Sequence, residues 1–215
     1  QEQETVTAAL TKAYPNATLT LSESLTVEPF IGKQFFTNGM IAIVLSFLLV
    51  LAYVGWRFKR IGGLSAGTMA IVALIHDALI VTAVFIVFKI PLNDSFIAAV
   101  LTIIGFSIND TIVIYDRIRE NERLMGKKTS VEELVDTSIN QSMMRSINTN
   151  IAVFLSITVV YIFAQIYDIS SIRAFALPMM FGTISGCYST ICIAGPLWTM
   201  WQKRKEKNPA ASASA

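Results

Sequence analysis

Charge is scarce in this sequence. Lys, Arg, Asp and Glu make up 15% of its 215 residues, against about 25% in ordinary soluble domains. Too few polar side chains remain to cover a water-soluble fold of this length. Disorder is excluded on the same ground, because disordered chains are rich in charge and poor in apolar residues, whereas 53% of this chain is hydrophobic. With 17 basic and 15 acidic residues the net charge is +2, which offers no broad surface for nucleic acid. Metal-binding residues are few as well: one His and two Cys cannot build a zinc site of the usual kinds. Cys187 and Cys192 are expected to be reduced, buried thiols, since five residues of helix separate them too widely to bridge. No P-loop, G-x-G-x-x-G or H-E-x-x-H occurs. The contexts IHDAL and SINDT also lack the settings of intramembrane aspartyl proteases. Mean hydropathy is +0.57, and the chain belongs in a lipid bilayer.

About 20 apolar residues span the roughly 30 Å of hydrocarbon in a bilayer, and five stretches satisfy that rule. They run at about 35–56, 65–88, 96–115, 147–167 and 174–201, which predicts an all-α polytopic membrane bundle. Lys and Arg in the connections set the orientation. Arg57, Lys59, Arg60, Arg117, Arg119, Arg123, Lys127, Lys128, Arg145, Lys203, Arg204, Lys205 and Lys207 fall on one side, leaving Lys12, Lys33, Lys89 and Arg173 for the other. The N-terminal segment is therefore expected outside and the C-terminus in the cytoplasm. Residues 1–30 contain no signal peptide, so at least one earlier helix is expected to have exported them.

Residues 1–34 read as the remnant of an extracytoplasmic α+β domain, with a short helix from Thr5 to Tyr14 and a strand from Ala17 to Val27. On the other side, Gly126 ends a continuation of the third span. Thr129 or Ser130 with Glu132 or Glu133 forms a capping box. An amphipathic helix at about 130–145 then lies in the interface and leads into the fourth span. Residues 203–215 are expected to be a disordered tail.

A carboxylate at the centre of a spanning helix costs about 2.5–3.5 kcal/mol, and a Leu or Ile returns only about 0.3–0.6 kcal/mol. Asp77 and Asp110 must therefore face the bundle interior or water, where a carboxyl can load and release a proton. Arg145, at the start of the fourth span, is a possible counter-charge for Asp110 or simply one more positive-inside residue. His76 could shuttle protons, although a bond from a neutral ring to a backbone carbonyl is the plainer role. Asn109, Ser107, Asn148 and Asn150 suit hydrogen bonding between helices. Gly182 and Gly186 in GTISG permit close helix approach, and Trp56, Trp198 and Trp201 sit at span ends as interface anchors.

The stretch GFSINDTIVIYDRIRENER, Gly105 to Arg123, resembles the signature of the SecF branch of the SecD/SecF protein-export family. VEPFIGKQF, LIHDALI, MRSINTN and GTISGCYSTICIAGPL support it, so that the resemblance covers about residues 25–202. Phe106 stands where the family often has Tyr. The resemblance implies an architecture like the resistance-nodulation-division exporters, with spans two to six of a six-span fold present. It further implies a place in the bacterial cytoplasmic membrane, with SecD and the SecYEG channel as partners and the exported polypeptide as a transient one. The implied work is proton-driven assistance to a late, SecA-independent stage of translocation, without covalent catalysis and with protons as the coupling ion in place of a cofactor. Under it Asp110 and Arg145 become proton-pathway residues, with Asp77 and His76 weaker members. Two other readings are a non-conducting scaffold of the translocon and one half of a lipid or small-molecule exporter.

Overall fold

The structure, a computed structural model, describes Lys12, residues 29–126 and residues 129–207. The chain divides into two units, Gln1–Gln34 and Phe35–Ala215. Apart from Lys12, which is helical, the helix and strand expected between Thr5 and Val27 lie outside the described residues.

Six α-helices follow: α1 (Pro29–Arg57), α2 (Gly63–Val87), α3 (Asp94–Met125), α4 (Val131–Ile166), α5 (Ser170–Ser189) and α6 (Gly195–Lys207). No strand occurs among the described residues. Among the described residues, five stretches are long and apolar enough to cross a membrane: Gln34–Arg57, Gly63–Val87, Asp94–Met125, Val131–Ile166 and Ser170–Lys205. The last joins α5 to α6 through a π-helical segment, Thr190–Ala194. Pro196 lies just beyond it. A proline ring clashes with the carbonyl four residues back and brings no N–H of its own, and a wider π turn absorbs both defects.

Local chemistry sets the helix ends. Asn93 caps α3 by accepting the Ser95 N–H at 3.0 Å. Ser130 caps α4 by accepting the Glu133 N–H at 3.2 Å. Gly126 ends α3 at φ +78°, a conformation open to a residue without Cβ. Nothing interrupts α4 between its cap and Ile166, since that stretch contains neither Gly nor Pro. The segment 130–145 is therefore no separate helix but the cap and first part of one continuous helix. At 1.5 Å per residue α3 is about 48 Å long and α4 about 54 Å, so both extend well past a hydrocarbon core of about 30 Å. Residues 208–215 lie outside the described residues, and the disorder expected over 203–215 is corrected for 203–207, since α6 continues to Lys207. Its end is anchored by the ion pair of Lys203 with Glu132 and by Gln202 donating to the Ile61 carbonyl at 3.0 Å.

Burial divides the helices into two classes. Half of the apolar window of α3 and of the last span is enclosed, but only 6% of that of α4. The exposed face of α4, with Ile151, Leu155, Val159 and Phe163, is an apolar surface suited to lipid. Two apolar clusters fill the interior. One gathers Leu74, Val81, Phe85, Val100, Ile103 and Met179; the other gathers Val54, Phe58, Ala70, Tyr115, Ile118 and Trp198. Trp198 is thus a core residue, only 3% exposed, and not the interface anchor that its place near a span end suggests. Trp56 and Trp201 are exposed. The cysteines also differ from expectation: both are free, but Cys187 is half-buried and Cys192 exposed. Along α3 and along the last span, a buried polar layer separates the two clusters.

Candidate functional site

That layer is built from Asp77, Ser107, Asp110, Thr111, Ser185, Ser189 and Thr190, all buried. It contains both membrane aspartates, in unlike surroundings. Asp77 on α2 is completely enclosed. Ser107 of α3 donates to its Oδ2 at 2.6 Å. From α5, Ser185 donates to Oδ1 at 2.6 Å and Ser189 to Oδ2 at 2.7 Å. Three hydroxyls from two helices thus close on one carboxylate. A buried charge is tolerated when its lone pairs are filled this way.

His76 adds a fourth contact, its Nδ1 lying 3.3 Å from Asp77 Oδ1. Neighbouring helical side chains leave the axis about 100° apart, yet the imidazole reaches round to the carboxylate and not to a backbone carbonyl. Its ring also lies 6.1 Å from that of Tyr188.

Asp110 on α3 is 6% exposed and faces α4. The Asn150 side-chain amide donates to its Oδ2 in a short hydrogen bond and also to the Ser146 carbonyl at 2.9 Å. Asn150 therefore ties the aspartate to the backbone of the neighbouring helix. Among the described residues no cation pairs directly with the carboxylate, although the Arg145 charge is felt there. Arg145 is exposed and sits about 7.5 Å lower along α4 than Asn150, counting 1.5 Å per residue. There it lines a cavity of about 620 Å³ between α3 and α4, together with Asp116, Arg117 and Gln141. The structure brings Asp110 together with Asn150, leaving Arg145 at the charged end of the same seam. Ser146, between them, is buried with its hydroxyl unpaired.

The two aspartates share a helix turn. Ser107, three residues before Asp110, gives its hydroxyl to Asp77. The Ser107 carbonyl accepts from Thr111 at 3.0 Å and from Thr190 of the π segment at 3.4 Å. The hydroxyls of Thr111 and Thr190 also meet at 3.2 Å. Whatever rotates α3 must therefore change both carboxylates.

Of the other expected packing residues, Asn109 and Asn148 are exposed. Each is one or two helical positions away from a residue of the seam, buried Asp110 or half-buried Asn150, and so points off it. Gly182 is a true close approach: a Cβ there would come within 2.5 Å of Ile103 and 2.9 Å of Val81. At Gly186 the nearest atom would be the Ser107 Cβ at 3.4 Å, an ordinary contact. Ser185, Ser189 and Thr190 escape a reading by single residues. Their signal is spacing, because Ser185 and Ser189 lie four apart in an apolar helix and so share a face.

Over residues 5–204 the sequence matches the family described as protein export membrane protein SecD/SecF, C-terminal. It is similar to the protein translocase subunit SecF of Synechocystis, 40% identical over 190 residues, which cover 86% of this chain and 57% of the relative. The SecF subunit of Alicyclobacillus acidocaldarius is 38% identical over 205 residues, 94% of this chain and 63% of that one. The chain thus spans about three-fifths of the length of these curated relatives or somewhat less. Among solved structures, SecDF in its super-membrane-facing form is similar with a TM-score of 0.77 and 31% identity, covering 99% of this chain and 27% of the other. SecDF from Thermus thermophilus, described as a translocon-associated membrane protein, has a TM-score of 0.77 at 32% identity, covering 92% and 26%.

Proposed function

This chain belongs to the SecD/SecF family of protein-export membrane proteins, and from that premise we propose that it serves as the membrane part of a SecF-type subunit. In this reading it works with SecD beside the SecYEG channel and assists a late stage of polypeptide translocation without covalent catalysis. Protons crossing the bacterial cytoplasmic membrane drive it, and no other cofactor takes part. The N-terminal segment is extracytoplasmic and the C-terminus cytoplasmic. The thirteen-to-four division of Lys and Arg supports this orientation, as does the clustering of Arg57, Arg117, Arg119 and Lys203 in ion pairs at one end of the bundle.

One observation carries the proton step: the buried Asp110 carboxylate is held by a neutral amide across a seam whose charged end holds Arg145. An amide bond permits either protonation state of its partner, because Asn carries both donors and an acceptor. The ionised acid attracts the guanidinium up the seam, and the protonated acid releases it. Two arrangements of α3 against α4 follow, and the partner's external domain converts the change into movement of the exported chain. A swing from 1:99 to 99:1 needs about 5.5 kcal/mol, and one charge crossing 100 mV supplies about 2.3 kcal/mol. Two protons at that potential fall just short, so a full swing takes about three, a larger driving force or a smaller swing.

The test is Asp110→Asn in inverted membrane vesicles. Insertion should persist, while export stimulated by the proton gradient should fall at least tenfold. Unchanged stimulation would reject the relay and favour the non-conducting scaffold, for which the fully satisfied cage around Asp77 is the supporting observation.

A further inference from the structure

Away from both aspartates, the cavity of about 620 Å³ between α3 and α4 has a strongly basic lining. Arg117, Arg119, Arg123 and Arg145 face the carboxylates of Asp116 and Glu120. Arg119 is committed to Asp116 at 2.8 Å and Arg117 to Glu120 at 2.6 Å. Asp116 also takes Arg57 at 3.1 Å. Both carboxylates are therefore spoken for, and Arg123 and Arg145 make no hydrogen bond or ion pair among the described residues. Two guanidiniums without a direct partner, one of them also in the field of Asp110, attract an anion to the cavity they line.

Depth identifies the kind of anion. Asp116 lies about 33 Å along α3 from its start at Asp94, and Arg145 about 32 Å along α4 from its end at Ile166, at 1.5 Å per residue. Both walls thus leave a hydrocarbon core of about 30 Å at the same level, where phospholipid headgroups lie. The wall on the membrane side is apolar, formed by Ile112 and Val113. A soluble anion gains nothing from such a wall, whereas the glycerol and first methylenes of a lipid do. Guanidinium forks match phosphate oxygens two at a time, and basic pockets between membrane helices suit anionic headgroups.

We propose that this cavity is a binding site for the phosphate headgroup of an anionic phospholipid, held by Arg123 and Arg145. The inference rests on charge and depth and shares Arg145 with the reading of Asp110, so its test is placed on Arg123, which that reading does not use.

The experiment is native mass spectrometry of the full-length protein released from detergent micelles. Phosphatidylglycerol, phosphatidylcholine and inorganic phosphate are each added at equal concentration. Retained phosphatidylglycerol should exceed phosphatidylcholine at least fivefold, and inorganic phosphate should not displace it. Arg123→Gln should lower phosphatidylglycerol binding at least threefold with the melting temperature unchanged, and Arg123→Lys should recover part of it. Should Arg123→Gln fail to fold, the milder Arg123→Lys carries the reading alone, with a smaller loss expected. Equal retention of the two lipids would overturn the proposal in favour of general annular contact. Displacement by inorganic phosphate would overturn it in favour of a soluble-anion site, and full binding by a folded Arg123 variant would overturn it outright.

Discussion

The two membrane aspartates occupy one polar layer, yet the protein treats them in opposite ways. Asp77 is clasped by Ser107, Ser185 and Ser189 from two other helices, all on well-buried elements. Asp110 meets a single amide, from a helix whose apolar window is mostly open to the surroundings. A carboxylate with several fixed donors is a structural fastening, since any motion must break several charge-assisted bonds at about 1.5–3 kcal/mol each. A carboxylate with one neutral partner at a loosely covered seam can change state while breaking little. Cost to the bilayer alone does not distinguish them; the number and origin of their donors does.

This contrast can be broken most directly by truncating each acid. Asp77→Ala leaves three buried hydroxyls without their acceptor and should lower stability by about 3 kcal/mol or more. Asp110→Ala, which removes the acceptor of one amide that keeps the Ser146 carbonyl as a second partner, should cost about 1 kcal/mol. Thermal unfolding of the two purified variants in detergent measures the difference, and equal losses would erase the distinction drawn here.

Gly182→Ala comes next, at about 1–3 kcal/mol. Its new methyl would meet Ile103 and Val81, which pack in the cluster beside Asp77. Gly186→Ala should stay within about 0.5 kcal/mol. The same unfolding assay compares them, and reversal of the order would show that the helices are not held where the cage places them.

Removing one donor from each site gives the smallest effects. Ser185→Ala should cost about 1.5 kcal/mol and leave transport nearly unchanged, because two hydroxyls still hold Asp77. Asn150→Ala should cost about 0.6 kcal/mol, the average for such bonds in membrane bundles, yet reduce gradient-stimulated export severalfold. Stability and export measured on the same two variants sharpen the comparison: a fastening loses stability first, and a working acid loses activity first.

Much of this was legible in the residues. Five apolar stretches announce five spans, and Ser130, Gly126 and Asn93 mark helix ends by their side chains or lack of one. Asp77 and Asp110 stand out because a carboxyl is costly in hydrocarbon. Which of them is fastened was not legible, because Ser107, Ser185 and Ser189 are unremarkable singly and their convergence depends on how α2, α3 and α5 cross. For the same reason Trp198 reads as an anchor from its place near a span end and is found in the core. The unbroken course of α4 was missed because a change from amphipathic to apolar composition suggests a boundary, although nothing in the backbone requires one.

Sequence by itself settled that the chain lives in a bilayer, which stretches are long and apolar enough to cross it, and which side chains are out of place there. These follow from transfer free energy and helix length, which are properties of short segments. Tertiary structure alone decided that one acid is caged by three hydroxyls and the other held by a single amide, and that Arg145 lies along the seam at a basic cavity without bonding Asp110. Those outcomes depend on donors and charges brought together from segments as many as 112 residues apart, and no local pattern encodes such a meeting.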